Sequence, residues 1–161
     1  MNERHYKRTM DLEVVREYIR NCSATTSFYL GSDSERYKRN GIWMADFTSV
    51  VVCHLDSCHG GKVFGEIESA KDFDQRMAKP SMRLLGEVHR VAELFEKLKD
   101  VLADRNVEIH LDLNSKKIHA SNAIVGEALG YIKGMCGIDA QLKPNAWAGS
   151  YVADRFSEVC A

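Results

Sequence analysis

The sequence predicts an α/β domain built on a mixed five-stranded sheet, three antiparallel strands followed by two parallel ones, with helices on both faces and an extra helix at the N-terminus. Two observations carry this. Three strand-like runs follow one another directly, separated by the turn pairs Asn40-Gly41 and Gly60-Gly61. Beyond them helical and strand-like periodicities alternate, and the crossovers this requires make the later strands parallel to the first.

Leu12, Val15 and Ile19, flanked by Val14, Tyr18 and Cys22, recur at helical spacing and predict an amphipathic helix over about 10–22. It belongs to an extension, residues 1–26, preceding the core. Ser27 to Asp33 reads as the first strand, and the basic run Arg36-Tyr37-Lys38-Arg39-Asn40-Gly41 as the hairpin turn after it. The second and third strands are expected at about 44–54 and 62–68. Residues 70–79 are polar and irregular, after which Pro80-Ser81 offers a helix start with Ser81 as N-cap. The longest helix is expected over 82–104. Residues 107–114 alternate with period two, which puts Val107, Ile109, Leu111 and Leu113 on one face and Asp112 on the other. A small-residue helix at about 121–133, a short strand at 137–142 and a final helix entered by Pro144-Asn145 and reaching about 159 complete the chain.

At 161 residues and 45% hydrophobic content the chain suits one domain with a sizeable core, taken as 1–161. No repeat or linker divides it. A formal net charge of −1 excludes binding to nucleic acid through bulk positive charge, although local basic patches are compatible with it. The five cysteines, at 22, 53, 58, 136 and 160, are odd in number and scattered, which suits a reducing compartment and predicts a cytoplasmic protein. No run approaches the roughly 18 apolar residues of a membrane span. No membrane partner is therefore expected.

Four acids stand in stretches otherwise suited to burial: Asp33, Glu87, Asp112 and Asp154. A lone carboxylate there is costly unless a cation meets it. On a helical wheel Glu87 falls inside the apolar arc of Leu84, Val88 and Phe95 rather than opposite it. Taken singly, each acid has an ordinary explanation, such as turn hydrogen bonds for Asp33 or an ion pair with Arg155 or Lys143 for Asp154. Together they fit divalent-metal chemistry, because Mg²⁺ takes hard oxygen ligands and one or two carboxylates suffice per ion. Two ions roughly 4 Å apart could activate water and stabilise the leaving oxygen of a phosphodiester.

Gly31-Ser32-Asp33-Ser34, Leu84-Leu85-Gly86-Glu87, Ile109 to Asn114, and Lys143-Pro144-Asn145-Ala146-Trp147-Ala148 followed by Ala153-Asp154-Arg155 resemble the YkuK-like branch of the ribonuclease H-like superfamily. The resemblance covers roughly 27–157 and is most specific in its last two motifs. It implies a ribonuclease H-like fold in which Asp33, Glu87, Asp112 and Asp154 are the catalytic and metal-binding residues for Mg²⁺ or Mn²⁺, as two ions. The branch usually reads Asp-Ser-Gln in its first motif, whereas Glu35 stands in the last position here and adds a fifth candidate carboxylate.

Around the acids, Arg36, Lys38 and Arg39 could track a phosphate backbone while Tyr37 stacks on a base. Lys116 and Lys117 would add phosphate contacts after Asp112, and His119 could shuttle a proton to the leaving group. A zinc site at Cys53, His54, Cys58 and His59 is disfavoured, because strand neighbours alternate faces. The leading expectation is a metal-dependent nuclease acting on RNA, an RNA/DNA hybrid or structured DNA. The alternatives are a non-catalytic module binding nucleic acid or a protein partner, and a metal-dependent hydrolase of a small nucleotide.

Overall fold

The computed structural model describes residues 8–74, 81–113 and 124–153. Their elements are α1 (Leu12–Asn21), β1 (Ser27–Arg39), β2 (Ile42–His54), β3 (Gly61–Lys71), α2 (Ser81–Leu102), β4 (Asn106–Leu111), α3 (Val125–Cys136) and a closing π-helix (Ala148–Ala153). The strands form one mixed sheet in the order β3-β2-β1-β4. β1 and β2, like β2 and β3, pair antiparallel, whereas β1 and β4 pair parallel.

The hairpin of β1 and β2 is longer than the sequence suggests. Asn40 and Gly41 both take positive φ, 48° and 78°, and so form a two-residue turn whose twist matches the strands. Pairing consequently runs without a break from Ser27 opposite His54 to Arg39 opposite Ile42. The residues expected in a basic turn are strand residues. Asp33, expected at the end of its strand, lies within it.

Alternation along β1 divides the core in two. Phe28 and Leu30 face α1, α2 and α3, and with Val51, Cys53, Ile109 and Leu111 they floor the main hydrophobic core. Val50 and Val52 on the opposite face pack against Ala148 and Ala153, with Tyr29 and Trp147 at the margin. Helical structure thus covers both faces. In α1, Val15 and Ile19 are fully buried, and Asp11 caps the helix by accepting from the backbone N–H of Glu13 at 3.1 Å and Val14 at 3.2 Å.

Three expectations need correction. Among the described residues the sheet has four strands, because the segment expected as a fifth makes only an isolated parallel bridge, Gln141 to His110. It does run beside β4, with Gln141 N–H donating to Ile109 O at 2.8 Å and Leu111 N–H to Gln141 O at 2.9 Å. However, Gly137 caps α3 in the left-handed conformation and Pro144 follows closely, which leaves little chain for a ladder. Ser81 is the first residue of α2 rather than its cap. The side chain of Asp74 takes that role, its two oxygens accepting from the backbone N–H of Met82 at 2.9 Å and Arg83 at 2.8 Å. Finally, α3 begins at Val125, and the final helix is described only over its π-helical part, with its expected continuation to 159 outside the described residues. No described helix is long and apolar enough to cross a membrane.

Candidate functional site

The site follows from a difference in strand length. β4 ends at Leu111, opposite Ser32, whereas β1 runs on to Arg39. The next step of that register would set Asp33 beside Asp112. The region just past the carboxyl end of β4 is where ligands usually gather in sheets with parallel strands.

On the α2 side of this region, Glu87 is 4% exposed. Its Oε1 accepts a hydrogen bond from Ser34 Oγ at 2.5 Å. Arg83, one turn earlier on α2, donates from Nη1 to Ser34 Oγ at 2.8 Å and to the Ser34 carbonyl at 3.2 Å. The serine hydroxyl is thereby oriented: it receives from the guanidinium and gives its proton to the carboxyl. Burial pushes Glu87 well above the ordinary carboxylate range, and the charge of Asp33, then that of Asp112, adds to the rise. Ser34 and Arg83 work in the lowering direction without reversing it.

Asp33 points by alternation to the other face, and its Oδ1 accepts from Ser34 N–H at 2.9 Å. Asp112 lies on that face too, beside the π-helix. Its Oδ1 is buried and accepts no hydrogen bond, but the Nζ of Lys143 pairs with it. Contact between sheet and π-helix depends on two glycines. A Cβ at Gly31 would stand 2.5 Å from Gly149 N, and one at Gly149 would stand 2.9 Å from the Ser32 carbonyl oxygen and 3.7 Å from Asp112 Cβ. Fully buried His110 fastens the same junction: its Nδ1 accepts from the backbone N–H of Trp147 and Ala148, both at 3.2 Å, and its Nε2 donates to Glu108 at 2.8 Å. The tautomer with hydrogen on Nε2 follows from these partners.

Of the acids singled out in the sequence, Asp33, Glu87 and Asp112 lie close enough for both aspartates to act on Glu87. Among the described residues, however, no three His, Cys, Asp or Glu side chains form a group able to hold a metal ion. Asp154, together with Lys116, Lys117 and His119, lies outside the described residues. Glu35 is exposed on β1, opposite Asp46 of β2.

The basic cluster divides. Arg36 is withdrawn from any phosphate, because its Nε pairs at 2.6 Å with Asp72, the two side chains being 9% and 0% exposed, and its guanidinium lies 3.9 Å over the Trp43 ring. It braces the strand against the segment that caps α2. Tyr37 is half-buried with its hydroxyl enclosed, which argues against a base-stacking role. Lys38 is exposed with Nζ 4.8 Å over Trp43, and Arg39 is half-buried. Cys53 is buried and its thiol pushed up to about 12 by burial, which removes it from any zinc site with the exposed Cys58 and His59.

Sequence reasoning missed Ser34, Arg83, His110 and Lys143 as parts of the site. Arg83 was discernible as the residue one turn before Glu87, and His110 as sharing the face of Asp112. Nothing local pairs Lys143 with Asp112.

A family model described as ribonuclease H-like matches residues 10–158 of the chain. Neither the curated proteins nor the solved structures give a match.

Proposed function

The chain belongs to the ribonuclease H-like family, and from that premise we propose that it is a divalent-metal-dependent nuclease, hydrolysing phosphodiesters in RNA, an RNA/DNA hybrid or structured DNA. The observation that carries this reading is the closeness of three carboxyl groups from different elements: the charges of Asp33 and Asp112 both act on the buried carboxyl of Glu87 and raise its pKa. Carboxylates gathered in this way call for positive charge, part of which Lys143 supplies at Asp112. The donor set is all hard oxygen, which fits Mg²⁺ or Mn²⁺. Asp33, Glu87 and Asp112 would have to draw closer together than they stand here to hold the ions, with Asp154 as the fourth ligand of a two-ion site. Ions bound there would supply Lewis-acid activation of water and stabilise charge on the phosphate.

The chain's own groups prepare that chemistry. Ser34 and Arg83 fix the orientation of Glu87, and the Gly31 and Gly149 contact brings the π-helix hard against Asp112. Lys38 and Arg39 on the long hairpin, with Lys116 and Lys117, are proposed to contact substrate phosphates, and His119 to pass a proton to the leaving group. One observation favours a second reading, a nucleic-acid or protein-binding module without catalysis: Lys143 already neutralises Asp112.

The test is cleavage by purified protein with Mg²⁺ or Mn²⁺ against single-stranded and double-stranded RNA, hybrid, single-stranded and branched DNA, and cyclic dinucleotides, with Asp33→Asn as control. Cleavage of a polynucleotide that needs metal and is lost in Asp33→Asn is expected. Binding without cleavage by wild-type protein would favour the second reading.

A further inference from the structure

Lys143 sits on a turn fixed to the end of β4. Its backbone N–H donates to the Leu113 carbonyl at 3.1 Å, and the turn closes with Asn145 N–H and Ala146 N–H donating to the Leu142 carbonyl at 2.9 and 3.0 Å. From this root the side chain reaches back to Asp112. The two side chains are 41% and 19% exposed, so the lysine keeps access to water and could withdraw into it without disturbing the core. The pairing also lacks hydrogen-bond geometry at Oδ1, which leaves charge as its main content. Such a contact can be replaced by another cation. Arg83, another cation near the acids, is engaged differently, through two bonds to Ser34.

We propose that Lys143 is a resident counter-ion of the acidic cluster, which neutralises Asp112 in the metal-free protein and must yield that carboxylate before a divalent cation can be held there. The proposal rests on the metal-site reading above. Its physical content is competition: a metal and an ammonium cannot both take the same carboxylate oxygen at full strength, and by linkage whatever stabilises one opposes the other. Lys143 therefore limits metal affinity at this site. It also eases the repulsion among the neighbouring carboxylates.

Calorimetric titration with MnCl₂ at near-neutral pH tests this on wild type, Lys143→Met, Lys143→Arg and Asp112→Asn. Lys143→Met keeps the length and loses the charge, and is expected to bind Mn²⁺ about tenfold more tightly than wild type. Lys143→Arg keeps the charge and is expected to stay within about twofold of wild type. Equal or weaker binding by Lys143→Met, or an arginine variant that behaves like methionine, would overturn the proposal. If wild type then still binds Mn²⁺ and Asp112→Asn does not, the metal-site reading survives that failure. Absence of saturable binding in all four proteins would sink both.

Discussion

Gly31→Ala is the substitution that most directly probes how the site is assembled. The added Cβ would stand 2.5 Å from Gly149 N, 2.7 Å from the Ala148 carbonyl carbon and 3.0 Å from Ala148 Cβ. Unbonded heavy atoms sit best at about 3.5–4.0 Å, so the π-helix must retreat by roughly 1 Å at this point. Two of the three opposing atoms are backbone, so no rotamer change can relieve the clash. Overpacking of this kind costs about 1–3 kcal/mol. For a chain of this size each kcal/mol lowers the melting temperature by about 2–4 °C. Gly130→Ala supplies the control: it lies within α3, nothing stands within 4 Å of its added Cβ, and the change should stabilise by up to ~1 kcal/mol. Thermal and urea melts of both variants would measure the contrast. Because Gly149 backs onto Asp112, Gly31→Ala should also lose metal-dependent cleavage out of proportion to its stability. A Gly31→Ala protein that melts like wild type would show that the sheet and π-helix do not meet as described.

Three other outcomes are expected. Glu87 has a folded-state pKa raised above its ordinary value of 4.5, so the native state holds that proton more tightly than the unfolded chain. Its contribution is fully present below the unfolded value and is lost as pH rises through the folded value; in chelator, Glu87→Gln should therefore gain stability relative to wild type across that rise, and melts showing the opposite trend would contradict the burial of the carboxyl. His110→Phe keeps a ring but removes the acceptor of two buried backbone N–H groups, and should cost about 1–3 kcal/mol in urea unfolding. Asp74→Ala strips the first turn of α2 of its side-chain cap and should cost about 1–2 kcal/mol, read by the same melts, with loss of cleavage as Glu87 loses its fixed approach.

What could be read from the sequence was what is local or periodic. The apolar spacing of Val15 and Ile19 marked α1, the Asn40-Gly41 pair marked the hairpin, and the misfit of Glu87 in its apolar arc marked a carboxyl that is in fact enclosed. What escaped depended on distant partners. Arg36 to Arg39 read as a hairpin turn able to track phosphates because the Asp72 that pairs with Arg36 and the Trp43 under Arg36 and Lys38 come from other parts of the chain. Ser81 looked like a cap, but the carboxylate of Asp74 took its place. Ile138, Ala140 and Leu142 alternate as a strand would, yet the same pattern serves a short segment that packs on the core and bridges β4 once. For Asp33 and Asp112 the residues were visible, but their closeness depended on the register of β1 and β4.

That register brings the two aspartates to the same end of the sheet. Parallel pairing sets Ser32 beside Leu111, and one further step would place Asp33 and Asp112 side by side on one face at the ordinary interstrand spacing of about 4.8 Å. Two like charges at that distance repel by roughly 3 kcal/mol at the effective dielectric of a protein surface. This exceeds the ~1 kcal/mol that one backbone hydrogen bond contributes, so two aspartates gathered at this end of the sheet need positive charge beside them. Their charges also act on the enclosed Glu87 and raise its pKa. A cation placed between them turns the repulsion into attraction, and in the metal-free chain Lys143 supplies part of that charge at Asp112. The acids thus set a demand for positive charge at this end of the sheet.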